Sequence, residues 1–337
     1  MIPIVFIGCR FGLSVARDLA AIADSGFRIA GVCDLDADLA QRVGEQLAVP
    51  VWPDLDSVLA DDSIPAVALI TPPSGRAGLL RKMVRAGKHV MTTKPFELDP
   101  VAAADVLREA RERKCVICVN SPTPTHPPSL QAIHSWQQQH YLGRPILFSA
   151  EIHASYNERA TGTWHDNPAL CPAAPVFRIG IYLIHDLLAL LGEFAEVRVL
   201  TSRIRTGRPT PDAAVLAVKF RNGCTGSVAA AFCINDGRPY RDSFTIHFER
   251  GSVFHNAGPQ IAATGVISES TLVVAGTSGP VIQEQHRLAR DPHAYPWQEF
   301  AALIRTGTPL PKDCATVIVE GVRLVQQMAR EESGQLP

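Results

Sequence analysis

The sequence lacks a strong charge bias. Its 337 residues carry 32 lysines and arginines against 33 aspartates and glutamates, which gives a formal net charge of −1. Proteins that bind nucleic acid or an anionic membrane surface usually carry a clear basic excess, so neither partner is expected. No apolar run approaches the ~20 residues of a membrane helix, and no basic region precedes the N-terminal apolar run. We therefore expect a cytoplasmic protein with no nucleic-acid or membrane partner.

A disulfide or metal framework is also missing. The eight cysteines are scattered without a regular spacing, and the pair Cys115 and Cys118 lies inside the apolar run CVICV. Residues three apart in a strand point to opposite faces, so this pair is expected to be buried free thiols and not a metal site. No metal site is predicted elsewhere. The length predicts two domains, which we place at residues 1–122 and 123–337, with the C-terminal helix packing back on the first.

Residues 1–120 alternate apolar strands with amphipathic helices joined by short connections. Continuous apolar strands in such an alternation predict a parallel sheet covered by helices on both faces, the doubly wound Rossmann plan. The predicted strands are 2–7, 28–33, a short piece near 50, 66–70, 88–91 and 115–119, and the predicted helices are 12–24, 36–47, 54–60, 75–86 and 99–113.

A glycine turn joins the first strand to the first helix. In this position backbone N–H groups and a helix N-terminus can bind a pyrophosphate. The turn is shorter than G-x-G-x-x-G and has no middle glycine, so a plain strand-to-helix turn is the alternative. The predicted dinucleotide contacts here are Gly8, Cys9, Arg10, Phe11 and Gly12.

Asp34 follows the second strand, 22 residues after Gly12. A carboxylate at this position suits the adenosine ribose hydroxyls and repels a 2′-phosphate, and Leu35 supplies no compensating cation. The pattern therefore favours NAD over NADP. An N-cap for the helix 36–47 is the other, compatible role of Asp34.

Two further turns complete the predicted cofactor site. The proline-rich turn after the fourth strand predicts a stiff wall beside the nicotinamide, with a simple loop as the alternative. In GKHVMTTKPFEL, Lys94 projects from a strand end, where a lysine can have its pKa lowered; an ordinary exposed lysine is the alternative. The residues assigned to these turns and to the following crossing are Thr71, Pro72, Pro73, Arg76, Thr93, Lys94, Pro95 and Asn120.

After residue 120 the pattern becomes strand-rich with alternating burial. It predicts an α+β domain with an open-faced, largely antiparallel sheet whose exposed face could support oligomerisation. The predicted strands are 146–154, 195–204, 213–220, 224–233 and 242–249, with weaker strands toward 285, and the predicted helices are 128–140, 177–191, 296–306 and 314–331.

The helix at 177–191 is apolar except for one polar row. Arg178, Tyr182, His185 and Asp186 have the spacing i, i+4, i+7 and i+8, which predicts that they share one helix face. Polar groups on a buried helix are costly unless they are paired or line a cavity. The row is therefore either a self-satisfied network or a proton-transfer row facing Lys94.

These motifs resemble the Gfo/Idh/MocA family over essentially the whole chain. The resemblance rests on GCRFG, Asp34, ITPP, AGKHVMTTKP, the GRPI segment and RIGIYLIHD. It implies a Rossmann domain followed by an open-faced sheet domain that forms a homodimer or homotetramer through that sheet. It also implies NAD(P)-dependent oxidation or reduction at a hydroxyl or carbonyl of a sugar, polyol, sugar acid or related cyclic diol. The sequence departs from the family pattern at Thr93, at Arg76, and in the segments 171–175 and 178–182.

The resemblance also implies site roles. Tyr182 occupies the place of the acid/base tyrosine of the glucose–fructose oxidoreductase and dihydrodiol dehydrogenase branch. Lys94 is then the neighbouring cation, and His185 is the rival acid/base because imidazole titrates near neutral pH. Arg178 suggests an anionic group on the substrate. The expected substrate contacts are Lys94, Arg178, Tyr182 and His185, together with Tyr156, Trp164 and His165, for which an ordinary surface loop is the alternative.

Two other functions stay open at this point. One is a non-catalytic regulator that binds cofactor or sugar on the same fold. The other is a glycosidase that uses tightly held NAD for transient oxidation.

Overall fold

The computed structural model describes residues 1–237, 240–258, 267–289 and 295–334. The chain forms two compact units. The first comprises Met1–Thr125 with Ala294–Val319, and the second comprises His126–His293 with Glu320–Pro337. The domain division predicted at residue 122 stays a prediction, and the two units are described separately.

The first unit contains a five-stranded parallel sheet in the order β2-β1-β3-β4-β5. The continuous apolar runs form its strands because both sheet faces are covered; every residue of β3 is fully buried. The predicted doubly wound fold is thus confirmed, while the short piece near 50 forms only one bridge, between Val51 and Val32. The elements are β1 (Ile2–Ile7), α1 (Cys9–Ala21), β2 (Phe27–Cys33), α2 (Ala37–Leu47), α3 (Leu55–Ala60), β3 (Ala66–Leu69), α4 (Arg76–Arg85), β4 (His89–Thr92), α5 (Pro100–Glu112) and β5 (Ile117–Val119).

The start of α1 differs from the prediction. The helix begins at Cys9 and not at residue 12, because Gly8 makes the entire turn with a φ of 92°. A Cβ atom at Gly8 would overlap the carbonyl oxygen of Ile70, so only glycine fits there. Residues 9–12 therefore form the first helical turn and not a loop.

The second unit contains an eight-stranded sheet in the order β13-β12-β11-β10-β6-β9-β8-β7. All neighbouring pairs are antiparallel except β6 and β9, which agrees with the predicted largely antiparallel sheet. The elements are α6 (Pro128–Gln139), β6 (Pro145–Ala154), a π-turn (Val176–Gly180) continuing into α7 (Ile181–Leu191), β7 (Phe194–Ser202), β8 (Ala213–Phe220), β9 (Thr225–Ala231), β10 (Tyr240–Phe248), β11 (Gly251–His255), β12 (Ile267–Gly276) and β13 (Gly279–Ala289).

Two helices close the chain, α8 (Trp297–Thr306) and α9 (Lys312–Glu332). In α8, Trp297 packs on Phe6 and Phe27 with ring centroids 6.1 and 5.8 Å apart, and Phe300 stacks on Phe27 at 5.2 Å. These aromatic contacts extend the core of the first unit. Among the described residues, no helix has the length and apolar character needed to cross a membrane.

Candidate functional site

The carboxyl edge of the parallel sheet gathers the predicted cofactor residues of the first unit. Asp34 follows β2, Gly8 follows β1, Thr71 lies two residues beyond β3, Lys94 lies two beyond β4, and Asn120 follows β5. In open α/β sheets ligands bind beyond this edge, where the strand order reverses. That reversal lies between β1 and β3, so Asp34 lies on one side of Gly8 and the other three positions lie on the opposite side.

The Asp34 carboxylate ties the end of β2 to the start of α1. Its Oδ2 accepts a hydrogen bond from the Cys9 N–H at 2.6 Å, and its Oδ1 accepts one from the Asp36 N–H at 2.9 Å. Asp36 is the N-cap of α2, since its side chain accepts from the Leu39 N–H at 3.0 Å. The alternative role of Asp34 as that N-cap is therefore wrong. Each carboxylate oxygen can accept a further bond, so Asp34 can still bind hydroxyl donors.

Two thiols lie beside this carboxylate but are poor nucleophiles. Burial, with a smaller contribution from the Asp34 charge, raises the pKa of Cys9 to about 12 and that of Cys33 to about 11. A neutral thiol is not reactive at neutral pH. Cys9 therefore contributes to this site through its backbone N–H.

Arg76 is internal and does not line the surface of the proline-rich turn. Its side chain is 1% exposed, and burial lowers its pKa to about 10, so it remains charged at neutral pH. The guanidinium donates to backbone carbonyl oxygens on both sides of Lys94, namely those of Thr71, Thr93, Pro95 and Phe96. Arg76 thus holds the Lys94 turn in shape.

Other buried groups fix the same turn. The Lys94 N–H donates to Asn120 Oδ1 at 2.9 Å, and the following Lys94–Pro95 peptide is cis. The buried Glu97 carboxylate accepts from the N–H groups of Ala77 and Leu98, both at 2.7 Å. Lys94 itself is half-buried, in contrast to the exposed lysine considered from the sequence. Hydrogen bonds from or to Arg76, Asn120 and Glu97 therefore hold the backbone around Lys94.

The polar row of α7 lies in the second unit. Tyr182 and Asp186 are half-buried, and His185 is 4% exposed. A Cβ atom on Gly321 of α9 would lie 2.6 Å from His185 Nε2, which is closer than real Cβ contacts. The glycine at position 321 therefore makes room for the imidazole ring.

Arg178, in the π-turn, is already paired with a carboxylate. Its two terminal nitrogens donate to the Glu158 carboxylate at 2.5 and 2.9 Å, and its guanidinium lies 4.6 Å from the Phe232 ring and 5.7 Å from the Tyr156 ring. Glu158 also accepts from Arg208 at 2.8 Å. This pairing weakens the case for an anionic substrate group at Arg178.

The loop that precedes the π-turn carries three aromatic rings. Tyr156 is 43% exposed and stacks on Phe232 at 5.6 Å, while Trp164 lies 4.0 Å from the His165 ring and 6.2 Å from Phe177. Burial, reinforced by the Arg178 charge, lowers the pKa of His165 to about 4. His165 is therefore neutral at physiological pH and can donate or accept a hydrogen bond.

Sequence reasoning missed the charged partners of Arg178. Arg208 is 6% exposed and joins Glu158 to Asp166, with its Nε donating to Asp166 at 2.8 Å. Glu158 and Arg208 are 50 residues apart in sequence, so no local spacing indicates the pair.

Two protein-family models match this chain. Residues 2–121 match the model described as an oxidoreductase family with an NAD-binding Rossmann fold, and residues 130–254 match the GFO/IDH/MocA C-terminal domain. UDP-N-acetylglucosamine 3-dehydrogenase of Acidithiobacillus ferrooxidans is 28% identical over 66% of this chain and 64% of that protein. Thus the chain spans less than two thirds of this relative, and about half or less of two yeast relatives.

Two other proteins match over greater length. The scyllo-inositol 2-dehydrogenase (NAD(+)) of Bacillus subtilis is 25% identical over 92% of this chain and 89% of that protein. A structure of levoglucosan dehydrogenase with NADH and levoglucosan matches with a TM-score of 0.76 at 16% identity, covering 99% of this chain and 98% of that one. At such identity, the structural likeness establishes the fold alone.

Proposed function

Because the chain belongs to the Gfo/Idh/MocA family of oxidoreductases, we propose that it transfers hydride between a nicotinamide dinucleotide and a carbohydrate. The reacting carbon bears a hydroxyl or carbonyl group of a sugar, a polyol or a related cyclic diol. The observation that carries this proposal is the Lys94 turn, a half-buried lysine braced at the ligand-binding edge of a dinucleotide fold. Relatives named as dehydrogenases of a nucleotide sugar and an inositol support the substrate class.

The first unit fits a dinucleotide. Gly8 leaves the β1–α1 junction without a side chain. The Cys9 N–H is used by Asp34, but the other N–H groups at the start of α1 are ones that a helix leaves without a partner in its own backbone, and they can bind an anion. Gly8, Cys9, Arg10, Phe11 and Gly12 would hold the pyrophosphate, with Arg10 as an exposed cation. When bound, the cofactor supplies the hydride acceptor or donor, and the protein's task is to position it.

The far end of the dinucleotide would lie along β3 and β4. Pro72 is exposed and Pro73 is buried, so the turn offers a rigid surface with few donors. Thr71, Thr93 and Asn120 would complete the nicotinamide side of the site. Arg76 acts on it indirectly, through the carbonyl groups that it holds.

Asp34 supports NAD(H) over NADP(H). Its remaining acceptor sites suit the two ribose hydroxyls, whereas a 2′-phosphate would meet a carboxylate. Leu35, the next residue, is fully exposed and carries no charge to offset the repulsion.

Lys94, Tyr182 and His185 carry the proton chemistry in this proposal. A substrate hydroxyl must lose its proton as hydride leaves the same carbon. Tyr182 accepts that proton, and Lys94 orients the substrate oxygen. His185 is the alternative proton acceptor on the same helix. Tyr156 and Trp164 contact the substrate through their ring faces.

The open face of the eight-stranded sheet is the proposed oligomer interface. Ser149, Ala217 and Ser227 lie side by side on its outward side, where they are exposed or half-exposed. Such small side chains give a flat face on which a second sheet can pack. A homodimer or homotetramer is expected, and light scattering after gel filtration would measure which one forms.

Turnover tests the function. The protein would be incubated with NAD and single members of a panel of sugars, polyols and cyclic diols while NADH absorbance is recorded. Steady NADH formation that depends on one carbohydrate supports the dehydrogenase. Binding of NAD and sugar without turnover would favour the non-catalytic regulator, and sugar release without net NADH would favour the glycosidase.

A further inference from the structure

An ion-paired cluster in the second unit consists of Glu158, Asp166, Arg178 and Arg208, and we name it the Glu158 cluster. Glu158 accepts two hydrogen bonds from Arg178, at 2.5 and 2.9 Å, and one from Arg208 at 2.8 Å. Arg208 donates in turn to Asp166 at 2.8 Å. Two positive and two negative charges therefore cancel within the cluster.

The two arginines are enclosed. The side chain of Arg178 is 12% exposed and that of Arg208 is 4% exposed. A guanidinium that has lost most of its water needs a counter-ion, and bonds from Arg178 hold the pKa of Glu158 below its usual range. Glu158 is thus an ionised counter-ion that the chain itself supplies.

Arg178 and Glu158 have the geometry with which arginine binds a carboxylate on a ligand. Two parallel N–H···O bonds from one guanidinium to one carboxylate are the fork by which arginine recognises carboxylates on ligands. Here Glu158, from the chain itself, occupies that fork. The exposed Tyr156 ring and the neutral His165 lie beside it, so the remaining groups suit an uncharged ligand.

We propose that Glu158 is a specificity-determining residue that excludes anionic substrates by occupying the guanidinium fork of Arg178. The inference rests on the proposed function, together with the expectation from the family resemblance that Arg178 is a substrate contact. It narrows the substrate class to neutral sugars and polyols and argues against sugar acids. Removing the Glu158 charge leaves the cluster with one uncompensated positive charge and releases the fork for a ligand carboxylate.

The test compares a matched pair of probes, D-gluconate and the neutral polyol D-glucitol. Isothermal titration calorimetry with NADH present would give the ratio of their dissociation constants for the wild type, Glu158→Gln and Glu158→Asp. We expect Glu158→Gln to shift this ratio toward gluconate by about tenfold or more, the scale of a charge-assisted bidentate contact. Glu158→Asp, which keeps the charge, should retain the wild-type ratio.

Two further variants test whether the change in the ratio arises from the Arg178 guanidinium. Adding Arg178→Met to Glu158→Gln should abolish the gain for gluconate, because the fork itself is removed. Glu193→Gln is the matched control, since Glu193 pairs with Arg221 at 2.9 Å on the exposed surface of the same unit. It should leave the ratio unchanged. Circular dichroism of each variant checks that the second unit remains folded.

The outcomes separate this inference from the proposed function. An unchanged ratio in folded Glu158→Gln, a gain that survives Arg178→Met, or a wild type that already prefers gluconate would each overturn the inference. A switch in the ratio without NADH-linked turnover of any carbohydrate would support the inference and contradict the dehydrogenase. Turnover of a neutral substrate, with an unchanged ratio in Glu158→Gln, would support the dehydrogenase and contradict the inference.

Discussion

Replacing Arg76 by methionine should cost the first unit a large part of its stability. The guanidinium uses both Nη1 hydrogens and one Nη2 hydrogen on four carbonyl groups, those of Thr71, Thr93, Pro95 and Phe96. Three donated hydrogens at about 1–1.5 kcal/mol each predict a loss of about 3–4.5 kcal/mol in the free energy of unfolding. Methionine fills similar space but restores none of these bonds.

The assay is urea unfolding followed by circular dichroism, with activity measured in parallel. Arg76→Lys keeps the charge but lacks the planar fork, so it should be intermediate in stability. Because these carbonyls flank Lys94, kcat should fall more than the affinity for NAD changes. Arg85→Met is the control: Arg85 is 60% exposed in its ion pair with Glu109, and such pairs contribute about 0–1 kcal/mol. A loss below about 1 kcal/mol for Arg76→Met would show that these hydrogen bonds do not stabilise the first unit.

Four other substitutions test the site. Gly8→Ala should abolish NAD binding, measured by fluorescence titration, because its φ is 92° and its Cβ would overlap a carbonyl oxygen. Gly78→Ala in α4 is the control and should bind NAD normally, since nothing lies within 4 Å of a Cβ at that position. Asp34→Ala should narrow the preference for NAD(H) over NADP(H), and equal affinities in the wild type would contradict that preference. Lys94→Ala and Tyr182→Phe should each lower kcat by about 10²–10⁴, with the double variant losing much less than the product of the two effects.

His185 provides the competing assignment for the proton acceptor. If it accepts the proton, Tyr182→Phe should be nearly silent and one limb of the pH–rate profile should vanish in His185→Gln. If neither substitution alters turnover of an identified substrate, the polar row of α7 is structural.

Much of the fold could be predicted because its signals are local. The run AVAL of β3 is continuous and apolar since both of its sheet faces are covered, and strand–helix alternation then specifies a parallel sheet. The start of α1 could not be predicted, because the turn depends on Gly8 fitting against the carbonyl of Ile70, just after β3. A glycine count alone cannot distinguish one tight turn from a five-residue loop.

Some of the functional residues could likewise be predicted from local sequence signals, and others could not. Lys94 and Asp34 follow predicted strands, so their places at the carboxyl edge could be anticipated. The inward orientation of Arg76 and the partners of Arg178 could not, because they depend on carbonyl and carboxylate groups distant in sequence. The sequence therefore identified a cation at position 178 but not the Glu158 counter-ion that neutralises it.

Coupled turnover would measure hydride transfer to or from a carbohydrate carbon. NADH formation would be followed together with mass analysis of the carbohydrate, for the wild type and for Lys94→Ala. We predict one NADH for each product molecule that is lighter by two hydrogens, with the rate in Lys94→Ala reduced by about 10²–10⁴. NAD bound by the folded protein with no NADH formed from any sugar, polyol or cyclic diol would contradict the account.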